Sequence, residues 1–186
     1  NLIKIFEKNK IRINELKNLY PIYSLNDCKF RFLRDEFLTE NEYKMTMHQM
    51  MKEKNFIPNE IYKILYIKEE NLTQLFNLGH AIGLHSHYHA NNMHLKSEKE
   101  QFDEYSYNQK KLASILKCDK SNIYSTSHPL GKYNEFTFNV LKSLQIKIGF
   151  RDSMTVDGWY KMKQINNSEL EIAREDCATI IKMLNL

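Results

Sequence analysis

The sequence predicts an α/β fold, a parallel sheet or barrel with helices outside. Three observations carry that prediction. From residue 68 onward, short apolar runs of strand length alternate with longer stretches of helical period. Two predicted helices, at Thr39 and at Ser97, open on a Ser or Thr followed three residues later by Glu, the reciprocal cap of a helix start. The chain has 186 residues, 42% of them hydrophobic and 12% aromatic, enough to bury a core without disulfides.

Residues 1–20 mix apolar and basic positions without a clean period and admit a short helix or a strand pair. Thr39 and Glu42 form a capping box, and Tyr43, Met47, Met50 and Met51 then recur at helical spacing. Methionines at 45, 47, 50 and 51 read as adaptable core packing, with a flexible binding surface as the alternative. Residues 68–78 predict a second amphipathic helix with Leu72, Leu75 and Phe76 on one face, closed by Gly79 as a left-handed cap. Residues 81–84 predict a short buried strand. Ser97 and Glu100 open a helix that turns Phe102, Tyr105, Leu112 and Leu116 to the core. Residues 122–126 and 147–150 predict the next strands, separated by an Asn134-capped helix carrying Phe136, Val140, Leu141 and Leu144. Residues 170–172 predict a last strand and 175–184 a last helix.

Composition narrows the function classes. The 27 basic and 23 acidic residues give a net charge of +4 and are mixed along the chain, so nucleic-acid binding has no footprint here. Five glycines and three prolines leave no linker, and a single domain over 1–186 is expected, with residues 1–65 unassigned and partly helical. Cys28, Cys118 and Cys177 are odd in number and lack metal-type spacing, which favours reduced thiols. No run reaches the roughly 18 apolar residues of a membrane span. The opening Asn1-Leu2-Ile3-Lys4 carries neither methionine nor a secretory core, so a cytoplasmic location is expected, in a chain that begins inside a longer gene product.

The chemistry concentrates in His85-Ser86-His87-Tyr88-His89, directly after the predicted strand at 81–84. Loops at the C-terminal ends of parallel strands gather active sites. Two neutral imidazoles four apart can share one divalent ion if the chain turns between them, and a carboxylate would be the usual third ligand. A polar surface loop with no ligand is the competing reading. His87 is expected to point elsewhere, and His80 and His94 to be structural or exposed. The second feature is residues 127–134, Ser-His-Pro-Leu-Gly-Lys-Tyr-Asn, a fixed turn whose backbone amides either face a ligand or simply connect strand to helix.

These motifs resemble the polysaccharide deacetylase family, carbohydrate esterase family four. Residues 79–89 are similar to its Gly-His-Glu-Ile-Gly and His-Ser/Thr-x-x-His motif, residues 127–134 to its Arg-x-Pro-Tyr-Gly-x-Tyr-Asn motif, and residues 170–176, with Arg174 and Asp176, to its Pro-Arg-x-Asp tail. The likeness spans about residues 66–180. It implies a distorted or incomplete (β/α) barrel, a divalent metal (zinc first, cobalt or manganese otherwise) held by Asp-His-His, and removal of acetyl groups from sugars, here in surface-glycan biosynthesis. His85 and His89 fall on the metal histidines. Ser86, His128, Pro129 and Tyr133 fall on substrate-side positions, and Leu130 on the residue whose backbone amide holds the oxyanion.

The departures are equally specific. The Thr-Phe-Asp-Asp motif with base and third ligand is missing, and Ser24-Leu25-Asn26-Asp27 echoes it faintly, making Asp27 the candidate ligand and catalytic carboxylate. The motif arginine is Ser127, the Leu-x-His general acid is absent with Cys177 near its region, and Asp157-Gly158-Trp159 matches Asp-x-x-Asp-Trp weakly. The resemblance therefore implies either a metal-dependent deacetylase or a non-catalytic relative with a carbohydrate-binding or structural role.

Overall fold

Helices fill the first third of the chain in the structure, a computed structural model that describes residues 2–20, 23–154, 165, 169–175 and 177–184. The chain divides into two compact units, Asn1–Tyr66 and Ile67–Leu186. In the first, α1 (Leu2–Lys8) and α2 (Lys10–Leu19) resolve the open choice at the N-terminus in favour of helix. They are followed by α3 (Leu25–Phe32), a π turn at Leu33–Phe37, α4 (Glu40–Glu53) and α5 (Pro58–Leu65). Ile13, Leu16, Tyr20, Cys28 and Phe32 make its small core.

The Thr39–Glu42 capping box forms as expected. The methionine stripe behind it does not pack as core. No residue of α4 is buried, and Met45 and Met50 are 74% and 49% exposed. Helical spacing fixes which residues share a face, but not whether a neighbour covers that face.

The second unit holds the sheet. α6 (Glu69–Asn77) ends where Gly79 takes φ +91° and its N–H bonds Phe76 O, with His80 N–H returning to Leu75 O. A single parallel bridge at Leu84 to Thr126 is what remains of the strand expected at 81–84. α7 (Glu98–Leu116) leads to β1 (Ser125–Ser127), α8 (Glu135–Ser143) to β2 (Ile148–Phe150), and α9 (Cys177–Met183) comes last. β1 and β2 are parallel, pairing Ser125 with Ile148, Thr126 with Gly149 and Ser127 with Phe150. On the far side Phe150 bridges Ile172 in parallel, while Glu169–Glu171 is a 3₁₀ turn where a strand was predicted. Among the described residues the parallel segments therefore run in chain order, Leu84, β1, β2, Ile172, with α7 and α8 between the first three and no closed barrel. No described helix is long and apolar enough to cross a membrane.

The core gathers Leu84, Met93, Tyr105, Leu116, Tyr133 and Phe138 with their neighbours. Phe102 and Phe136, expected inside, are 42% and 49% exposed. The buried stripe of α7 is instead Gln101, Tyr105, Gln109, Ala113 and Leu116. Its two glutamines are satisfied. Gln101 Oε1 accepts from Thr137 Oγ1 at 2.6 Å, and Gln109 Nε2 donates to Leu144 O at 2.9 Å. A hydropathy pattern skips glutamines, so it rotates the helix to the wrong face.

Candidate metal and oxyanion site

His85 follows the Leu84 bridge directly, and Ser127 closes β1 beside it. His85 Nδ1 lies 2.7 Å from Ser127 O. A carbonyl only accepts, so Nδ1 carries the proton and Nε2 is left bare, the arrangement that orients a ligating histidine. The chain then turns through two left-handed residues, Ser86 at φ +56° and His89 at φ +52°. Their effect is to bring His89 back against His85, ring centroids 4.8 Å apart and edge to face. Each such non-glycine conformation costs on the order of 1–3 kcal/mol and needs fixing from outside. α7 supplies it. Asn108 Oδ1 accepts the His85 amide at 3.2 Å, and Glu104 Oε2 accepts those of His87 and Tyr88 at 3.0 and 3.1 Å.

His85 is exposed as a residue, yet desolvation around its ring against the strand ends lowers its pKa. The Ser127 carbonyl opposes that, while His89 and Arg174 add to it. A neutral imidazole is the ligating form. His87 points away as expected, its ring edge-on to Tyr88 and Tyr107 at 4.4 and 4.3 Å, over a separate cleft of about 310 Å³. His80 is exposed and His94 half-buried.

The turn at Pro129–Gly131 leaves the end of β1, next to this loop in the sheet. Leu130 is left-handed at φ +54°, ψ 23°. The amides of Gly131 and Lys132 are used on His128 O and Pro129 O, and that of Leu130 stands outside this pair of bonds. Gly131 has φ +62°, and a Cβ there would meet the Asp152 carboxylate at 2.3–2.6 Å. Asp152 thus lies flat against the turn from the end of β2.

Four expected substrate-side residues behave otherwise. His128 is 1% exposed, donates Nε2–H to Leu170 O at 2.8 Å and packs on Tyr133. Burial pushes its pKa down to about 4. Tyr133 is 1% exposed and gives its hydroxyl proton to Glu171 Oε1 at 2.8 Å. Pro129 is buried too, and Ser86 is buried with its Oγ unbonded among the described residues. His128, Pro129 and Tyr133 are thus turned inside at this turn, and Leu130 alone of its first three residues is not buried.

Asp27 does not behave as a free ligand either. It is the third helical residue of α3, and its Oδ2 accepts from Ser24 N at 3.0 Å and Ser24 Oγ at 2.7 Å, which lowers its pKa. Ser24-x-x-Asp27 is a capping box, the same pattern as at Thr39 and Ser97. Among the described residues no three His, Cys, Asp or Glu side chains are grouped to hold an ion. The donor chemistry of His85 and His89 fits a divalent metal, and among the described residues no third ligand is grouped with them. Asp157-Gly158-Trp159 and Asp176 lie outside the described residues.

Sequence reading missed Glu104, Asn108 and Asp152, and took Arg174 only as part of a tail motif. Glu104 and Asn108 are four apart on one face of α7, which is the available signal for a polar cradle.

The family model for polysaccharide deacetylase matches residues 35–149, more than half of the chain, starting earlier than the motifs suggest and ending before the tail. No curated protein matches. Among solved structures, Streptococcus pyogenes deacetylase PplD in complex with acetate is similar at 18% identity and a TM-score of 0.48, over 59% of this chain and 45% of that one. The chain thus spans less than half the length of that protein.

Proposed function

Because this chain belongs to the polysaccharide deacetylase family, we propose that it carries the metal and oxyanion half of a hydrolase that removes an acetyl group from an acetylated sugar, in the making of a surface glycan. The observation that supports this most is the pairing of His85 with His89, with the His85 Nδ1–H donated to Ser127 O so that Nε2 is bare. Zinc, or cobalt or manganese in its place, would when bound polarise the acetyl carbonyl and acidify a water. His85 and His89 would hold it. The Leu130 amide donates to the oxygen that gains charge as the carbonyl becomes tetrahedral, and a main-chain donor tolerates leucine where the family motif has tyrosine.

A second reading has its own support. With Asp27 engaged in a helix cap and no third ligand grouped with the histidines among the described residues, a carbohydrate-binding relative without turnover also fits. General-base assistance is worth roughly 100- to 10,000-fold, so the chain should be slow at best. Acetate release from N-acetylated sugars with added zinc, cobalt or manganese separates the readings. Slow, metal-dependent release that disappears in His85→Ala and His89→Ala supports the hydrolase. Sugar binding without release under any metal decides for the second reading.

A further inference from the structure

The stretch before α9 sends one side chain back to the strand ends. Arg174 donates Nη2–H to Ser127 Oγ at 2.6 Å and Nε–H to Arg151 O at 2.7 Å. Arg151 N–H is held by Ile172 O at 2.9 Å, and Ser127 N–H by Leu84 O at 2.9 Å. The guanidinium therefore ties the ends of β1 and β2 together at the serine whose carbonyl accepts the His85 Nδ1–H hydrogen bond. Position 127 has serine where the family motif has arginine, and the guanidinium reaches that place in space from 47 residues further along the chain.

We propose that Arg174 is a positioning residue for His85, clamping Ser127 so that its carbonyl keeps the imidazole proton on Nδ1 and Nε2 free. The assignment rests on reading His85 as a metal ligand. Two features make the clamp specific. A guanidinium presents Nε–H and Nη–H as a rigid planar fork, which a lysine ammonium cannot copy across two acceptors. Ser127 uses both of its oxygens, Oγ toward Arg174 and the carbonyl toward His85, so a displacement of one moves the other. Groups beyond the direct ligands that orient a metal histidine typically change affinity 10- to 100-fold when removed.

The test reads the tautomer directly, on metal-free protein, by long-range proton–nitrogen correlation of the imidazoles, with His85→Gln to assign the signal. Wild type and Ser127→Thr, which keeps the hydroxyl, should show His85 as a single Nδ1–H tautomer. Arg174→Gln, Arg174→Lys and Ser127→Ala should show a tautomer mixture, and zinc titration should give affinities about 10- to 100-fold weaker than wild type. Thermal midpoints run alongside. A fall in midpoint with the tautomer and zinc affinity unchanged in Arg174→Gln and Ser127→Ala would reduce the clamp to ordinary structure and overturn the proposal. So would wild-type behaviour in Arg174→Lys. Should wild type bind no zinc while the tautomer shifts as expected, the positioning link is supported and it is the metal reading that falls.

Discussion

The loop at 85–89 and the turn at 128–133 leave neighbouring ends of the same small sheet, and each is bent by positive-φ residues, Ser86 and His89 in the loop, Leu130 and Gly131 in the turn. They present opposite parts of the chain. In the first, His85 and His89 stand exposed while the amides of residues 85, 87 and 88 are consumed by Asn108 and Glu104. In the second, the His128 and Tyr133 side chains are buried and the main chain of Leu130 is offered. A ligand site needs both kinds of group, and each kind needs the other part of its residue tied down. The loop spends its backbone to free its side chains, and the turn does the reverse.

That contrast predicts where substitution is costly. Gly131→Ala should be more damaging than Gly79→Ala. It combines a left-handed backbone, about 1–2 kcal/mol, with a Cβ driven to within 2.3–2.6 Å of the Asp152 carboxylate, which must shift at about 1–2 kcal/mol more, for a total loss of about 3 kcal/mol. Gly79→Ala is the control. It also has positive φ, but its Cβ meets nothing within 4 Å, so only the backbone cost of about 1 kcal/mol applies. Urea unfolding of the two variants checks the difference, and equal losses would show that Asp152 yields freely.

His128 supplies the next effect. Its pKa is lowered from 6.5 to about 4 in the folded protein by burial, so the unfolded chain takes up the proton first. The associated stability is fully present above pH 6.5 and is lost as pH falls from there toward 4, by roughly 3 kcal/mol. Exposed carboxylates such as Asp27 and Glu42, whose pKa values are lowered by their caps, add losses at still lower pH. The difference in unfolding free energy between wild type and His128→Gln, followed from pH 7 to pH 4, isolates the histidine. A difference that stays constant across that range would mean His128 titrates normally and is not sealed in the core.

The histidine pair and the alternation of strand and helix were legible because both depend on local order in the chain: spacing of four after a short apolar run, and caps at helix starts. What was not legible depends on who meets whom. Leu84 and Ile172 look like strands in sequence, but each keeps a single bridge. Gln101 and Gln109 are core residues because their amides find partners in distant segments, the Thr137 hydroxyl and the Leu144 carbonyl, a fact no hydropathy pattern contains. Arg174 meets Ser127 across 47 residues for the same reason. Asp27 is different, since its capping grammar was visible in Ser24-x-x-Asp27 and was outweighed by a likeness to a catalytic motif.

The smallest expected effect is at Leu130, and it is the sharpest test of the division between side chain and main chain. Leucine at φ +54° is held against its preference by about 1 kcal/mol, and its side chain is half-buried. Leu130→Asn removes apolar contact but adopts the left-handed region readily, so the two changes oppose each other and stability should move by less than about 1 kcal/mol. Leu130→Ala and Leu130→Gly likewise keep the amide. If the amide is the working group, all three should retain whatever acetate release the chain shows, with the metal dependence unchanged. Leu130→Pro removes the N–H and fixes φ near −65°, so it should lose release even in whatever fraction a circular dichroism spectrum shows to be folded. Loss of release in Leu130→Ala at an unchanged thermal midpoint would place the role in the side chain, and the turn at 128–133 would then differ less from the loop at 85–89 than its geometry implies.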